Sequence, residues 1–444
     1  MLKNYLKMAV KILLRRKFFT FISLFGISFT LIVLMVVVAL FDHTFAPFPP
    51  EINQERTLAC FRINARGPKA VNSGPGYLLL DRYARNLPNV EATSIATRPG
   101  NAYAYINGQR IGLYLKRTDG DFWRILRFNF LEGGPFSRED ADNGRFVAVI
   151  NEATRQKFFG NRSAVGRTIE VGAQRFRVSG VVANVSILRM IPFADVWVPI
   201  ATTPNDSYKK ELIGGFMGIF LLRSKADIPA VKAEFQSTLR SVQLSPKEYT
   251  ELDGYLMTYF DFIANQIFPG YDAKIHSGSI MTAIILGMIL FMVLPAVNLM
   301  NINVSRILER SSEIGVRKAF GASSITLVGQ FVVENILLSL IGAALALAGA
   351  YLALGAITRA GFMEYASFSL NYRIFGYGFV MAVFFGFLSG VYPAWRMSRL
   401  HPAIALRGGA QGCSICSKWS GTGNVQTVRL SWKSLPRFSC CFLL

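Results

Sequence analysis

Four long apolar stretches interrupt an otherwise mixed sequence, and the rest of the chain is organised around them. Residues 18–41 carry no charge. A helix over this stretch, at about 1.5 Å per residue, is roughly 36 Å long and crosses a bilayer with some tilt. A second uncharged run covers 275–305, a third covers 327–358 with Glu334 as its one charge, and a fourth covers 374–395. The pattern predicts four transmembrane helices. The first is too long for the core of a secretion signal and no small-residue cleavage site follows it, so it is expected to stay as an anchor. Cys60 follows Thr57-Leu58-Ala59 after a polar stretch, which does not fit a lipoprotein attachment site.

Between the first two runs, residues 42–274 change to shorter periods. Pro47, Pro49 and Pro50 end the first helix. Residues 81–87 read as a helix before Pro88, and 101–116 as a hairpin turning at Asn107–Gly108, a favoured two-residue turn pair. Residues 146–150 form a short apolar strand, followed by a helix over 152–159 that Gly160 stops. The alternation of 168–182 around Gly172 predicts a second hairpin. Residues 228–242 read as an amphipathic helix with Val231, Phe235 and Leu239 on one face. The expected architecture is an α-helical membrane protein with four transmembrane helices and a large α+β extracytoplasmic domain, containing a small β-rich insert, placed between helices 1 and 2.

Charge sets the orientation. Residues 1–17 carry a net +6, the 306–322 segment between runs two and three +2, and residues 396–444 +7. The long 42–274 region mixes both signs. Short basic segments on one side and a long mixed domain on the other follow the positive-inside rule, so both termini and the 306–322 segment are expected in the cytoplasm. The formal net charge of +21 thus reflects attraction to anionic lipid headgroups and does not call for a nucleic-acid partner.

Catalytic chemistry is sparse. His43, His276 and His401 are the three histidines, all beside membrane runs. No HExxH, GxSxG or clustered Cys/His set occurs. The Ser207–Lys210 sequence SYKK matches a bare S-x-x-K, but it sits in a polar loop without the partner motifs of that chemistry. No G-x-x-x-x-G-K-[ST] phosphate loop is present either. The chain is expected to be a non-catalytic subunit without a metal or cofactor of its own.

The 306–322 segment, RILERSSEIGVRKAFGA, is the most distinctive polar stretch. On a helix, Arg306, Arg310, Glu313 and Arg317 fall near one face and Ile307, Ile314 and Phe320 near another. Taken alone, this pattern favours a helix lying on lipid with its basic residues at headgroups. Asn298–Ala322, however, resembles the signature of the MacB/FtsX-type permeases of ABC transporters, in Glu309, Arg310, Glu313, Ile314, Gly315, Val316, Arg317, Lys318, Gly321 and Ala322, followed by Gln330 and Glu334. Residues 119–136, 147–160, 165–171 and 195–199 are similar to the MacB-type periplasmic core, and 393–407 to the family's last segment.

The resemblance implies that 306–322 is a coupling helix docking on a separate ABC ATPase subunit, where ATP and Mg bind. Glu309, Arg310, Glu313, Ile314, Gly315, Arg317, Lys318 and Gly321 would make that contact. It also implies a homodimer or a heterodimer with a similar permease, with a periplasmic adaptor as a further candidate partner, and export or efflux as the activity. The alternative within the resemblance is an FtsX-like protein that signals to a cell-wall hydrolase without transport.

Gln330 and Glu334 are the polar residues expected inside the third span. A carboxylate there is costly without a partner or a route to water, so Glu334 is expected either to pair with Arg317 or to reach the interface. The small residues Gly342, Ala346, Gly349, Ala350 and Ala353 predict close helix packing, between spans or between subunits. After Arg407 the chain departs from the family pattern. It carries four of the five cysteines there, with Cys440 and Cys441 adjacent, and is expected to be a tail without a metal site.

Overall fold

The computed structural model describes residues 10–267 apart from 12, 16 and 107, residues 278–291, 324–361 and 363–366, and isolated positions between 293 and 387. The first apolar run forms helix α1, Lys17–Phe45. It exceeds the expected 18–41 because Asp42, His43 and Thr44 continue the helix, and Thr44 Oγ1 donates back to the Leu40 carbonyl at 2.8 Å. The second run is helical over Gly278–Phe291. The third lies within a helix spanning Ser324–Arg359, labelled α5 below. Of the described helices, those at 17–45 and 332–359 are long and apolar enough to cross a membrane. Most of the fourth run, and the 306–322 segment except Val316, lie outside the described residues.

The small residues of α5 have a definite use. Ala346 and Ala350 are fully buried, and a Cβ on Gly342 would stand 2.7 Å from Ile27 Cγ2 of α1. A Cβ on Gly349 would collide with Ile32 of the same helix. Within the chain, Gly342 and Gly349 thus seat α5 against α1.

The inserted domain is built on thirteen strands. They are β1 (Thr57–Arg66), β2 (Val71–Pro75), β3 (Val90–Thr97), β4 (Gly100–Ile106), β5 (Gln109–Thr118), β6 (Phe130–Gly133) and β7 (Val147–Asn151). Then follow β8 (Thr168–Val171), β9 (Gln174–Val182), β10 (Val196–Pro199), β11 (Ile213–Gly214), β12 (Phe216–Leu222) and β13 (Glu251–Met257). They join in the order β11-β2-β1-β12-β3-β5-β10-β7-β9-β6, with β13 beside β1, β4 beside β5 and β8 beside β9. β5 pairs with β10 and β7 with β9 in parallel, and the other pairs are antiparallel.

Helices α2 (Glu152–Phe159), α3 (Ile228–Ser241) and α4 (Tyr259–Ile267) pack on this sheet. Asn151 caps α2 by accepting from Thr154 N, and Gly160 leaves it at φ 61°, as its position predicted. On α3, Val231, Phe235 and Leu239 are the buried positions, and they join Leu58, Leu80 and Phe220 in one core. The opposite face of β1 and β12 packs on a second core around Phe61, Phe122, Trp197 and Met217.

Both expected hairpins form. Ile106 pairs with Gln109 across the first. Val171 pairs with Gln174 across the second, where Gly172 and Ala173 both have positive φ, the signature of the tight turn whose twist matches the strands. The helix expected at 81–87 forms as a wide π-type helix over Leu79–Ala84, shifted toward the N-terminus. Burial of Leu79 and Leu80 in the core draws its start earlier, while Pro88 disfavours helical geometry at Leu87 and draws its end in.

Candidate functional site: the joint between spans and domain

Where α1 ends, Pro47, Pro49 and Pro50 remove backbone donors just as the helix leaves its last carbonyls unpaired. A single side chain from elsewhere fills this deficit. Arg189, in the 183–195 loop joining β9 to β10, donates through Nε to the His43 carbonyl at 3.0 Å. Through Nη2 it reaches the Ala46 carbonyl at 2.8 Å, and through Nη1 the Phe48 carbonyl at 3.2 Å. The same Nη1 lies 3.3 Å from Glu51 Oε2. Only arginine carries enough donors in a fixed plane for this, and a cation at a helix C-terminus complements its dipole. Arg189 and Glu51 are 4% and 5% exposed.

The loop is held just as firmly on its domain side. Lys116, on β5 and fully buried, donates to the Met190 carbonyl at 2.9 Å and to the Ile191 carbonyl. Tyr259 Oη, at the start of α4, donates to the Leu188 carbonyl at 2.7 Å. Trp197 Nε1 donates to the Pro192 carbonyl at 3.1 Å. The neighbouring Phe260 ring lies against Phe41 and Phe45 of α1, at centroid distances of 6.1 and 5.2 Å. Beside the joint a cleft of about 300 Å³ is lined by Asp42, His43, Phe48, Asn184, Ser186 and Arg189, so the joint is not packed solid on every side.

Burial dominates its electrostatics. It pushes the Glu51 carboxyl up to about 7 against the opposing pull of Arg189 and Lys116, and it holds the Lys116 ammonium well below its usual range. A carboxyl raised on folding adds stability in full below its ordinary value of 4.5 and loses it as pH climbs through about 7. Glu51→Gln is therefore expected to become progressively more stable relative to the parent between pH 4.5 and 7, at a limiting slope of about 1.4 kcal/mol per pH unit. Unfolding midpoints of the two full-length proteins across that range check this, and parallel curves would contradict it.

Among the described residues no group of three or more His, Cys, Asp or Glu is placed to hold a metal ion. Ser207 Oγ faces Glu211 Oε1 at 3.4 Å, and Ser207 and Lys210 both lie in the short turn Asp206–Lys210. Cys60 is buried in β1, against any surface attachment. What the joint can do is carry force between a membrane helix and a sheet.

The residues singled out by sequence fall elsewhere. Glu309, Arg310, Glu313, Ile314, Gly315, Arg317, Lys318 and Gly321 lie outside the described residues, as do His276, His401 and the cysteines of the tail. Gln330 is on α5. Glu334, 4% exposed, is buried on the same helix with Asn335 and Ser339 at 6% and 2%. Arg189, Glu51 and Lys116 were not singled out. Lys116 gave no distinct signal, since it stands beside a second basic residue, Arg117, in the strand sequence LYLKRT.

Two family models match the chain: a MacB-like periplasmic core domain over residues 20–238 and an FtsX-like permease C-terminal region over residues 285–402. Among curated relatives, the macrolide export ATP-binding/permease protein MacB of Chromobacterium violaceum is 27% identical over 64% of this chain and 42% of its own length. MacB 2 of Aeromonas hydrophila subsp. hydrophila is 23% identical over 90% of this chain and 60% of its own length. This chain thus spans about half the length of those relatives. Among solved structures, the periplasmic region of MacB from Actinobacillus actinomycetemcomitans aligns with 49% of this chain and 94% of its own at 15% identity, with a TM-score of 0.32 that carries no argument about fold. The two matched regions lie in the same order as the inserted domain and the later apolar runs, and on them the chain belongs to the MacB/FtsX-like family of ABC transporter permeases.

Proposed function

We propose that this chain is the non-catalytic membrane subunit of an ABC exporter, passing the motion of a separate ATPase subunit through the bilayer to the inserted domain. The observation that carries this reading is the joint: the end of α1 is fastened to the domain by buried, fully engaged polar groups. A loose tether would serve an anchor, whereas a rigid one suits transmission. In this reading four spans cross the inner membrane, residues 1–17, 306–322 and 396–444 are cytoplasmic, and two permease copies assemble with two ATPase copies. ATP and Mg bind the ATPase, which docks on the 306–322 segment. The size of the inserted domain favours export over signalling to a cell-wall hydrolase, with an adaptor outside the membrane as a further partner.

The test is reconstitution of the full chain in nanodiscs with the ABC ATPase that co-purifies with it. ATP hydrolysis should change several-fold when the permease is present. A chain that retains no ATPase and leaves hydrolysis by co-expressed ABC ATPases unaltered would remove the reading.

A further inference from the structure

Arg189 joins the domain to α1, but the same loop carries a second attachment, to the turn that follows α5. Ile187 N donates to the Glu364 carbonyl at 3.1 Å. Tyr365 Oη donates to Asp195 Oδ1 at 2.6 Å, the short length of a charge-assisted bond. Its ring lies near Phe193 at 6.4 Å.

We propose that Tyr365 is a positioning residue of the coupling path: through Asp195 it fastens the end of α5 to the sheet of the inserted domain, so that displacement of α5 reaches the domain directly. The inference rests on the transmission reading above and specifies one of its routes.

Three observations carry it. Asp195 is bolted to the sheet. It is 2% exposed, its Oδ2 accepts from Tyr114 N at 2.8 Å, and its Oδ1 also accepts from Asn151 Nδ2 at 2.9 Å. Its backbone bonds both neighbours as well, accepting from Asn151 N at 3.0 Å and donating to Tyr114 O at 2.8 Å. A pull on its carboxylate is therefore a pull on β5 and β7 together. Second, the link to α5 is short and shaped: the helix ends at Arg359, Gly361 turns at φ 63°, and Ala366 N closes the turn onto the Met363 carbonyl at 3.2 Å. Third, Tyr365 has φ 56°, a left-handed conformation that a bulky residue adopts when its surroundings hold it there. Burial and Asp195 both push the Tyr365 phenol up, so it stays the donor at any physiological pH.

The experiment compares the parent with Tyr365→Phe, each as the full chain with its ATPase in nanodiscs, by hydrogen exchange with and without ATP and vanadate. The variant keeps the ring and loses the hydroxyl. In the parent, nucleotide should alter exchange both in the first turns of α5 and in the 187–195 loop. In Tyr365→Phe the α5 response should persist while the response of 187–195 falls by about threefold or more, in line with loss of one strong hydrogen bond, at an unchanged thermal midpoint. An equal nucleotide response at 187–195 in both proteins overturns the inference and leaves the transmission reading standing. So does a uniform loosening of the loop that is the same with and without nucleotide, which marks a structural bond only. A parent in which neither segment responds overturns the transmission reading, and the inference with it.

Discussion

Arg189→Met is expected to release α1 from the inserted domain. The change removes the guanidinium donors to the His43, Ala46 and Phe48 carbonyls, of which Ala46 and Phe48 each keep one backbone donor, from Phe48 N and Glu51 N. It also strands Glu51, which is 5% exposed, without its guanidinium partner. Breaking one side of a buried ion pair typically costs about 3–5 kcal/mol, because an uncompensated charge is left behind. Replacing both sides with neutral groups is far cheaper, so Arg189→Met combined with Glu51→Gln should recover part of the loss. The pH dependence separates these terms: the penalty of the single change should shrink below about pH 7, where Glu51 takes up a proton. Hydrogen exchange across 43–51 and 184–192 in the detergent-purified full chain provides the measurement. If protection there matches the parent in the single variant, Arg189 is not the joint.

Why the two long apolar helices at 17–45 and 332–359 and the hairpins were readable while the joint was not is a matter of range. A span is a local property, since some twenty apolar residues in a row leave few other folds. The turns at Gly108 and Gly172 are equally local, because a two-residue hairpin needs positive φ and the sequence places glycine there. The face of α3 followed from spacing alone. Arg189 and Glu51, in contrast, lie 138 residues apart, and no periodicity marks a lone arginine in the loop SILRMIPF as the one that fills four acceptors. What the sequence did show was the complementary half of the problem. Three prolines after an apolar helix announce carbonyls that need donors, without saying where the donors come from. The bounds of the helix at Leu79–Ala84 were misplaced for a related reason: the depth of the core, set by β1 and β12, decided which leucines went inside.

The joint also narrows what the rest of the molecule must do. If the inserted domain is fastened to α1 through Arg189 and to the end of α5 through Tyr365, then motion of these two packed helices cannot be absorbed at the membrane surface. It must either carry the domain or break buried bonds. The close contact of α1 and α5 at Gly342 leaves no room between them there. On the transmission reading proposed above, force enters at the other end of α5, which follows the 306–322 segment in sequence.

Reversing a charge in that segment is therefore expected to silence the system without unfolding it. Glu313→Lys alters the docking face the sequence predicts, and truncating or inverting one partner of a partly buried interfacial charge pair typically shifts binding by a few kcal/mol. Gly315→Leu adds a bulky side chain where close approach to the ATPase is proposed, at a cost of about 1–3 kcal/mol by analogy with overpacking. Both positions lie outside the apolar runs at 275–305 and 327–358, so membrane insertion and the inserted domain should be preserved. The expected result is parental levels in the membrane, weakened co-purification with the ATPase, and loss of the permease's effect on ATP hydrolysis. The competing picture, a helix resting on anionic headgroups, predicts something different: Glu313→Lys would strengthen lipid binding and leave ATPase binding untouched. Retention of parental ATPase binding and stimulation by both variants would decide for the lipid-bound helix and move the docking site elsewhere on the chain.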